Sequence, residues 1–231
     1  MATFVLLHGA WQGGWAYAKT ARLLRAEGHD VFTPTLTGLG ERSHLSSPEI
    51  DLSTHIQDVV NVLEYESLSD VILVGHSYGG AVITGVSGRC ADRIRTLVYL
   101  DAFILKDGQA MWDVAGEEGR TAYVESQKAT PGMVPFLVAW RGGQSLDPAE
   151  LKRRKIDFQP LLTLIEPVRL DGSELGIANR TYILATKSPS FARFRDQVQA
   201  DPAWTVKTID TRHLVMIEDP EGLARLLLEE V

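Results

Sequence analysis

"VILVGHSYGGAV", residues 71–82, decides the fold. An apolar, β-favouring run enters Gly75-His76-Ser77-Tyr78-Gly79, a G-x-S-x-G pentapeptide, and small residues of helical character follow it. A serine on so sharp a strand-to-helix turn is held in strained backbone geometry, and glycines two residues to either side remove the side chains that would collide. The turn lifts Ser77 to the carboxyl edge of a sheet, where open α/β sheets bind ligands. A glycine-rich turn that only packs helix on sheet uses the same residue types, so the reading rests on strand, turn and helix occurring together.

Outward from this stretch, short apolar runs alternate with segments of helical period. That is the pattern of a mostly parallel α/β sheet with helices on both faces. The strand candidates are 3–7, 30–34, 70–75, 96–100, 181–185 and 205–209, a sheet of about six strands. Thr54 and Gln57 fit a capping box ahead of Ile56, Val59, Val60 and Leu63, which form one apolar stripe. Asp219 followed by Pro220 opens the last helix, whose Leu223, Leu226 and Leu227 face the core.

Residues 104–175 break the alternation, with no clear strand and with Met111, Trp112, Met133, Phe136, Trp140 and Phe158 spread along them. Within a single domain spanning 1–231 this reads as an insertion. It is either a helical lid over the site or a peripheral helical layer whose aromatics pack inward. Its basic run, Lys152 to Lys155, reads as a solvated helix face. Trp11 and Trp15 read first as packing; Trp11, Met111, Trp112, Phe136 and Trp140 are the candidates for lining an apolar substrate pocket.

Composition narrows the partners. An apolar content of 45% over 231 residues is ample for a packed core. A net charge of -7 argues against nucleic acid or an anionic membrane surface, both of which favour basic patches. The single Cys90 excludes an internal disulfide, and "MATFVLLHGA" has neither the basic start nor the apolar length of a signal peptide or a membrane span. A cytoplasmic protein acting on a small molecule is expected, with a homodimer left open.

An attacking serine needs donors for the negative charge of the tetrahedral intermediate. "LLHGAWQGGW", residues 6–15, offers backbone N–H groups after the first strand, so the oxyanion hole is assigned to the amides of Ala10 and Tyr78. His8 reads as structural, bonding backbone. Of six histidines only His213 follows the serine, in "TIDTRHLVMIEDP" (208–220), a loop between the last strand and the last helix, and it is the candidate base. His29, His44 and His55 read as surface residues and His76 as packing. No pair of histidines has metal-ligand spacing, and no phosphate-binding glycine loop is present.

These stretches together resemble the α/β-hydrolases, and within them the methylesterase and hydroxynitrile-lyase group with its bacterial esterase relatives. "FVLLHGAWQGGWAY", "VILVGHSYGGAV", "LVYLDAF" and "RHLVMIEDP" match in order and spacing, so the resemblance covers nearly the whole chain apart from the insertion. It implies Ser77 as nucleophile, His213 as base, Ala10 and Tyr78 as the oxyanion hole, and no cofactor. Three departures matter. The loop after "TYILAT", which carries the acid in such proteins, holds Lys187 and Ser188; the threonine and lysine used by the lyases are replaced here by residues such as Ala10 and Leu214; and Arg212 stands where a glycine is common.

Losing a triad aspartate costs on the order of ten-thousand-fold in turnover, so a chain with serine and histidine in place is expected to keep an acid. Ser188 is neutral, and Asp210, Glu218 and Asp219 are awkwardly placed near His213 in sequence. Asp101 ends the strand beside that of the nucleophile, at the same carboxyl edge, and is expected to be the relocated acid; the alternative is that it only bonds loop amides. The leading expectation is a serine hydrolase cleaving an ester of a small, largely apolar substrate. An amide or carbamate hydrolase, a ligand-binding protein on the same scaffold and a cyanohydrin lyase are its rivals.

Overall fold

A computed structural model describes residues 1–136, 149, 153 and 158–231. In chain order its strands are β1 (Thr3–Leu7), β2 (Asp30–Phe32), β3 (Val71–His76), β4 (Ile94–Leu100), β5 (Met133–Pro135), β6 (Phe158–Pro160), β7 (Asn179–Ala185) and β8 (Trp204–Ile209). Six of them form one parallel sheet in the order β2-β1-β3-β4-β7-β8, and each corresponds to an apolar run of the sequence. The chain moves outward from β1 to β2 and returns to β3. The gap between the carboxyl ends of β1 and β3 is therefore the topological switch point, where open α/β sheets leave a crevice.

Both faces of the sheet are covered, which is why its strands read as continuous apolar runs. Side chains alternate. Phe4, Leu6, Ile72, Val74, Val98 and Leu100 point to one side, where α1 (Ala18–Ala26) and the C-terminal helix Pro220–Leu228 bring Leu24, Leu223 and Leu227. Val5, Leu7, Leu73, Leu97 and Tyr99 point to the other, against α2 (Leu52–Tyr65) and α3 (Gly79–Cys90). Of α3 only Arg89 is exposed, so this helix behaves as core on all sides, whereas α2 buries Leu52, Ile56, Val59, Val60 and Leu63 as a stripe. Each such side chain, fully buried, contributes about 1.5–3 kcal/mol relative to exposure.

Two expectations need correction. The start of α2 is capped by Asp51, whose carboxylate accepts both the backbone N–H (2.7 Å) and the hydroxyl (2.7 Å) of Thr54, while Gln57 donates outward to Asn61 at 2.8 Å. An ionised acceptor one turn earlier outcompetes the Thr54–Gln57 box. The stretch 104–175 also does contain strands: β5 and β6 pair antiparallel, Met133 with Pro160, Val134 with Gln159 and Pro135 with Phe158. Three-residue strands with a proline in each show no alternation to read.

The same stretch adds α4 (Met111–Val114) and α5 (Gly116–Ser126), and its Met111, Tyr123, Val134 and Phe136 join the core on the α2 and α3 side. Trp140 and, apart from Arg153, the basic run 152–155 lie outside the described residues. Among the described residues no helix is long and apolar enough to cross a membrane.

Candidate active site

Ser77 follows β3 directly and is held at φ +54, a left-handed conformation that side chains other than glycine rarely adopt. Of residues 71–88 it alone is not fully buried, so the strained turn presents it outward from an otherwise sealed strand and helix. Its amide donates to Leu100 O (3.3 Å), and its carbonyl accepts the amides of Gly80 (3.0 Å) and Phe103 (3.2 Å). Two glycines allow the elbow to meet the end of β1. A Cβ on Gly79 would stand 2.7 Å from His8 O, and one on Gly9 would stand 3.0 Å from Ser77 Cβ.

Asp101 is the residue after β4, level with Ser77 across the sheet edge, and is fully buried at φ +43. Its Oδ2 accepts a 2.6 Å hydrogen bond from His213 Nδ1. Its Oδ1 accepts the Ala185 amide at 3.2 Å, and the Ser188 hydroxyl bonds the same carboxyl. The loop after β7 thus supplies a neutral support for a carboxylate that comes from the neighbouring strand.

The His213 ring is stacked on Phe191, centroids 4.6 Å apart at 10°, and its backbone carbonyl accepts a 2.8 Å bond from His76 Nε2. The Nδ1 of this ring is thus engaged by Asp101. Burial lowers the His213 pKa, which keeps the ring neutral at neutral pH, and raises that of Asp101; the bonds from Ser188 and Ala185 oppose the latter shift.

The other carboxylates are committed elsewhere. Asp210 pairs with Lys187 (2.9 Å), Glu218 with Arg212 (2.8 Å), and Asp219 caps the last helix through Gly222 N (2.8 Å).

Both expected oxyanion amides are aimed by what their peptide partners bind. Leu36 N donates to His8 Nε2 at 3.1 Å, so the ring carries its proton on Nδ1 and donates it to Gly9 O at 2.7 Å. Burial lowers the His8 pKa to about 4, so this neutral tautomer persists at physiological pH. In a trans peptide C=O and N–H point opposite ways, and Ala10 N–H is therefore directed away from His8. By the same geometry the two donors on Ser77 O send Tyr78 N–H outward. Among the described residues neither amide donates to a protein acceptor.

The expected pocket residues divide. Trp11, at φ +60, packs edge-on against Phe136 at 5.8 Å, and its Nε1 donates to Val134 O at 2.8 Å. Met111 is in the core. Trp112 packs on Tyr123 (6.3 Å) beneath the Arg120 guanidinium (5.8 Å) and lines a surface groove with Glu117, Thr121 and Val124.

His8 and His76 are buried as expected, but His55 is buried too, contrary to its reading as a surface residue. Its Nε2 donates to Thr37 O (2.9 Å) and its Nδ1 accepts from the Tyr78 hydroxyl (2.9 Å). The signal was present: His55 lies three residues after Leu52 and four before Val59, on the buried stripe of α2.

Residues 4–226 match the alpha/beta hydrolase family. A carbendazim hydrolyzing esterase of Nocardioides sp. (strain SG-4G) is 41% identical over 238 residues, covering 98% of each chain. Among solved structures, an extracellular alpha/beta-hydrolase from a Paenibacillus species superposes with a TM-score of 0.86 at 26% identity, over 100% of this chain and 99% of that one. A pyrethroid hydrolase from Sphingobium faniae JZ-2 does so with a TM-score of 0.75 at 26% identity, over 99% and 96%. The chain belongs to the alpha/beta hydrolase family, in its methylesterase-like group, and is a carboxylic ester hydrolase.

Proposed function

We propose that the protein is a cofactor-independent serine esterase whose triad is Ser77, His213 and Asp101, acting on a small, largely apolar ester. The observation that carries the reading is the buried 2.6 Å bond between Asp101 Oδ2 and His213 Nδ1, with Asp101 directly after the strand beside the one that Ser77 follows.

Ser77 Oγ attacks the carbonyl carbon while its proton passes to His213 Nε2, and the resulting oxyanion is held by the amides of Ala10 and Tyr78. Collapse expels the alcohol, which takes the proton back from the imidazolium. Water, deprotonated by the same ring, then releases the acid and restores Ser77. Asp101 holds the tautomer and stabilises the imidazolium.

Trp11 and Phe136 stand beside the oxyanion loop and support an apolar acyl or alkoxy site, with β5 and β6 packed against it. A carbamate uses the same machinery, and the similarity to an esterase named for carbendazim favours testing that class.

The experiment is a parallel screen of simple esters, anilides and carbamates, carbendazim included, against wild type and Ser77→Ala, with fluorophosphonate labelling read by intact mass. Turnover and a single adduct in wild type, both absent in Ser77→Ala, support the reading. Equal turnover in the two proteins ends it.

A further inference from the structure

Gln159 is fully buried on β6, 148 residues away in sequence from the loop it touches. Its carboxamide has a fixed orientation. The Thr163 hydroxyl donates to Pro160 O at 2.6 Å, so its lone pair accepts Gln159 Nε2 at 2.6 Å, and Gln159 Oε1 is left to accept Trp11 N–H at 3.1 Å.

Trp11 at φ +60 holds a conformation that costs an aromatic residue of order 1–3 kcal/mol and persists only where surroundings over-determine it. β5 and β6 do so at both ends of the residue, through Val134 O on the indole and Gln159 on the backbone. Ala10 therefore lies between two pinned peptide planes, one set by His8 and the other by Gln159.

We infer that Gln159 is a positioning residue for the oxyanion hole: the β5–β6 pair, part of what reads as a cap, clamps the loop that aims Ala10 N–H. This rests on the serine esterase reading above. Without the clamp Trp11 relaxes toward negative φ, the Ala10–Trp11 peptide turns with it, and Ala10 shifts so that its N–H moves off the developing charge.

Loss of a whole oxyanion donor costs about a hundred- to a thousand-fold in kcat, so misaiming one predicts about ten- to a hundred-fold. The test uses Gln159→Met, which keeps length and removes the acceptor, and Thr163→Val, which keeps shape and frees the carboxamide to rotate. In each, kcat is expected to fall, about ten- to a hundred-fold and at least about three-fold respectively, with KM changed less than about three-fold. Affinity for a trifluoromethyl ketone transition-state analogue should weaken in step with kcat, while inhibition by the product acid should not change.

Thr163→Val carries the same signature should Gln159→Met fail to fold. A raised KM at unchanged kcat, or two folded variants with wild-type kcat, overturns the inference. Ser77→Ala assayed alongside separates the two claims, since turnover in that variant would overturn the esterase reading itself.

Discussion

The carboxyl edge of the sheet and the stretch 104–175 hold their functional groups by different means. At the edge, Ser77 and Asp101 are the residues immediately after β3 and β4, so hydrogen-bonded ladders fix where their backbones go. In the second region the approach to the site is made by single side chains and carbonyls: Gln159 and Val134 on Trp11, and Glu166 accepting the amide and hydroxyl of Ser53 at 2.7 Å each. Among the described residues, three of the five non-glycine residues with positive φ, Trp11, Ser77 and Asp101, stand at the site. At the site this strain is tolerated because the sheet edge and the contacts of β5 and β6 over-determine the backbone. The reaction should therefore depend steeply on the edge and shallowly on most of the insertion.

The steepest point is the nucleophile. Ser77→Ala should lower kcat by about a million-fold with Tm unchanged, because a triad acts as a unit and loses most of its effect with one member. Residual turnover near wild type would place the chemistry elsewhere.

Next comes the contact between the elbow and β1. Gly79→Ala pushes a methyl against the carbonyls of His8 and Leu7, which are backbone and cannot swing aside, so about 1–3 kcal/mol of stability should be lost. Urea unfolding measures that, and kcat should fall more than about ten-fold as the oxyanion loop shifts.

Ser188→Ala is expected to cost less than about ten-fold, since the hydroxyl supports the acid without being it. Its signature is in the pH profile. With Asp101 as the proposed acid, activity is expected to require it ionised, and removing a donor to the carboxylate raises its pKa further, so the acid limb of kcat/KM should move to higher pH. An unmoved limb would mean that Ser188 does not act on Asp101.

At the shallow end, Lys128→Ala on the insertion removes an exposed pair with Glu125 (2.6 Å) and should leave kcat/KM within about two-fold and stability within about 0.5 kcal/mol. A large effect there would break the contrast between the regions.

What the sequence made legible follows the same division. The six sheet strands, the elbow at Ser77, the loop of His213 and the structural His8 are local patterns, readable from apolar runs and glycine spacing. The place of Asp101 beside His213 was reachable because a strand end at the right edge is a topological statement. The pairing of β5 with β6 was not, having three residues and a proline on each side, and neither was the bond from Gln159 to Trp11, which no local period encodes. His55 was missed for another reason: a polar residue on an apolar stripe was assigned by type rather than by position, and its partners Thr37 and Tyr78 are distant in sequence.

The central claim is that the acid moved from the loop after β7 to the end of β4. It is tested most directly by the turnover of Asp101→Asn, a change of one atom in a residue that keeps its size. The account predicts a loss of at least about a hundred-fold at neutral pH, with Tm and the rate of substrate binding little changed. Turnover within about ten-fold of wild type in a folded Asp101→Asn protein would contradict it.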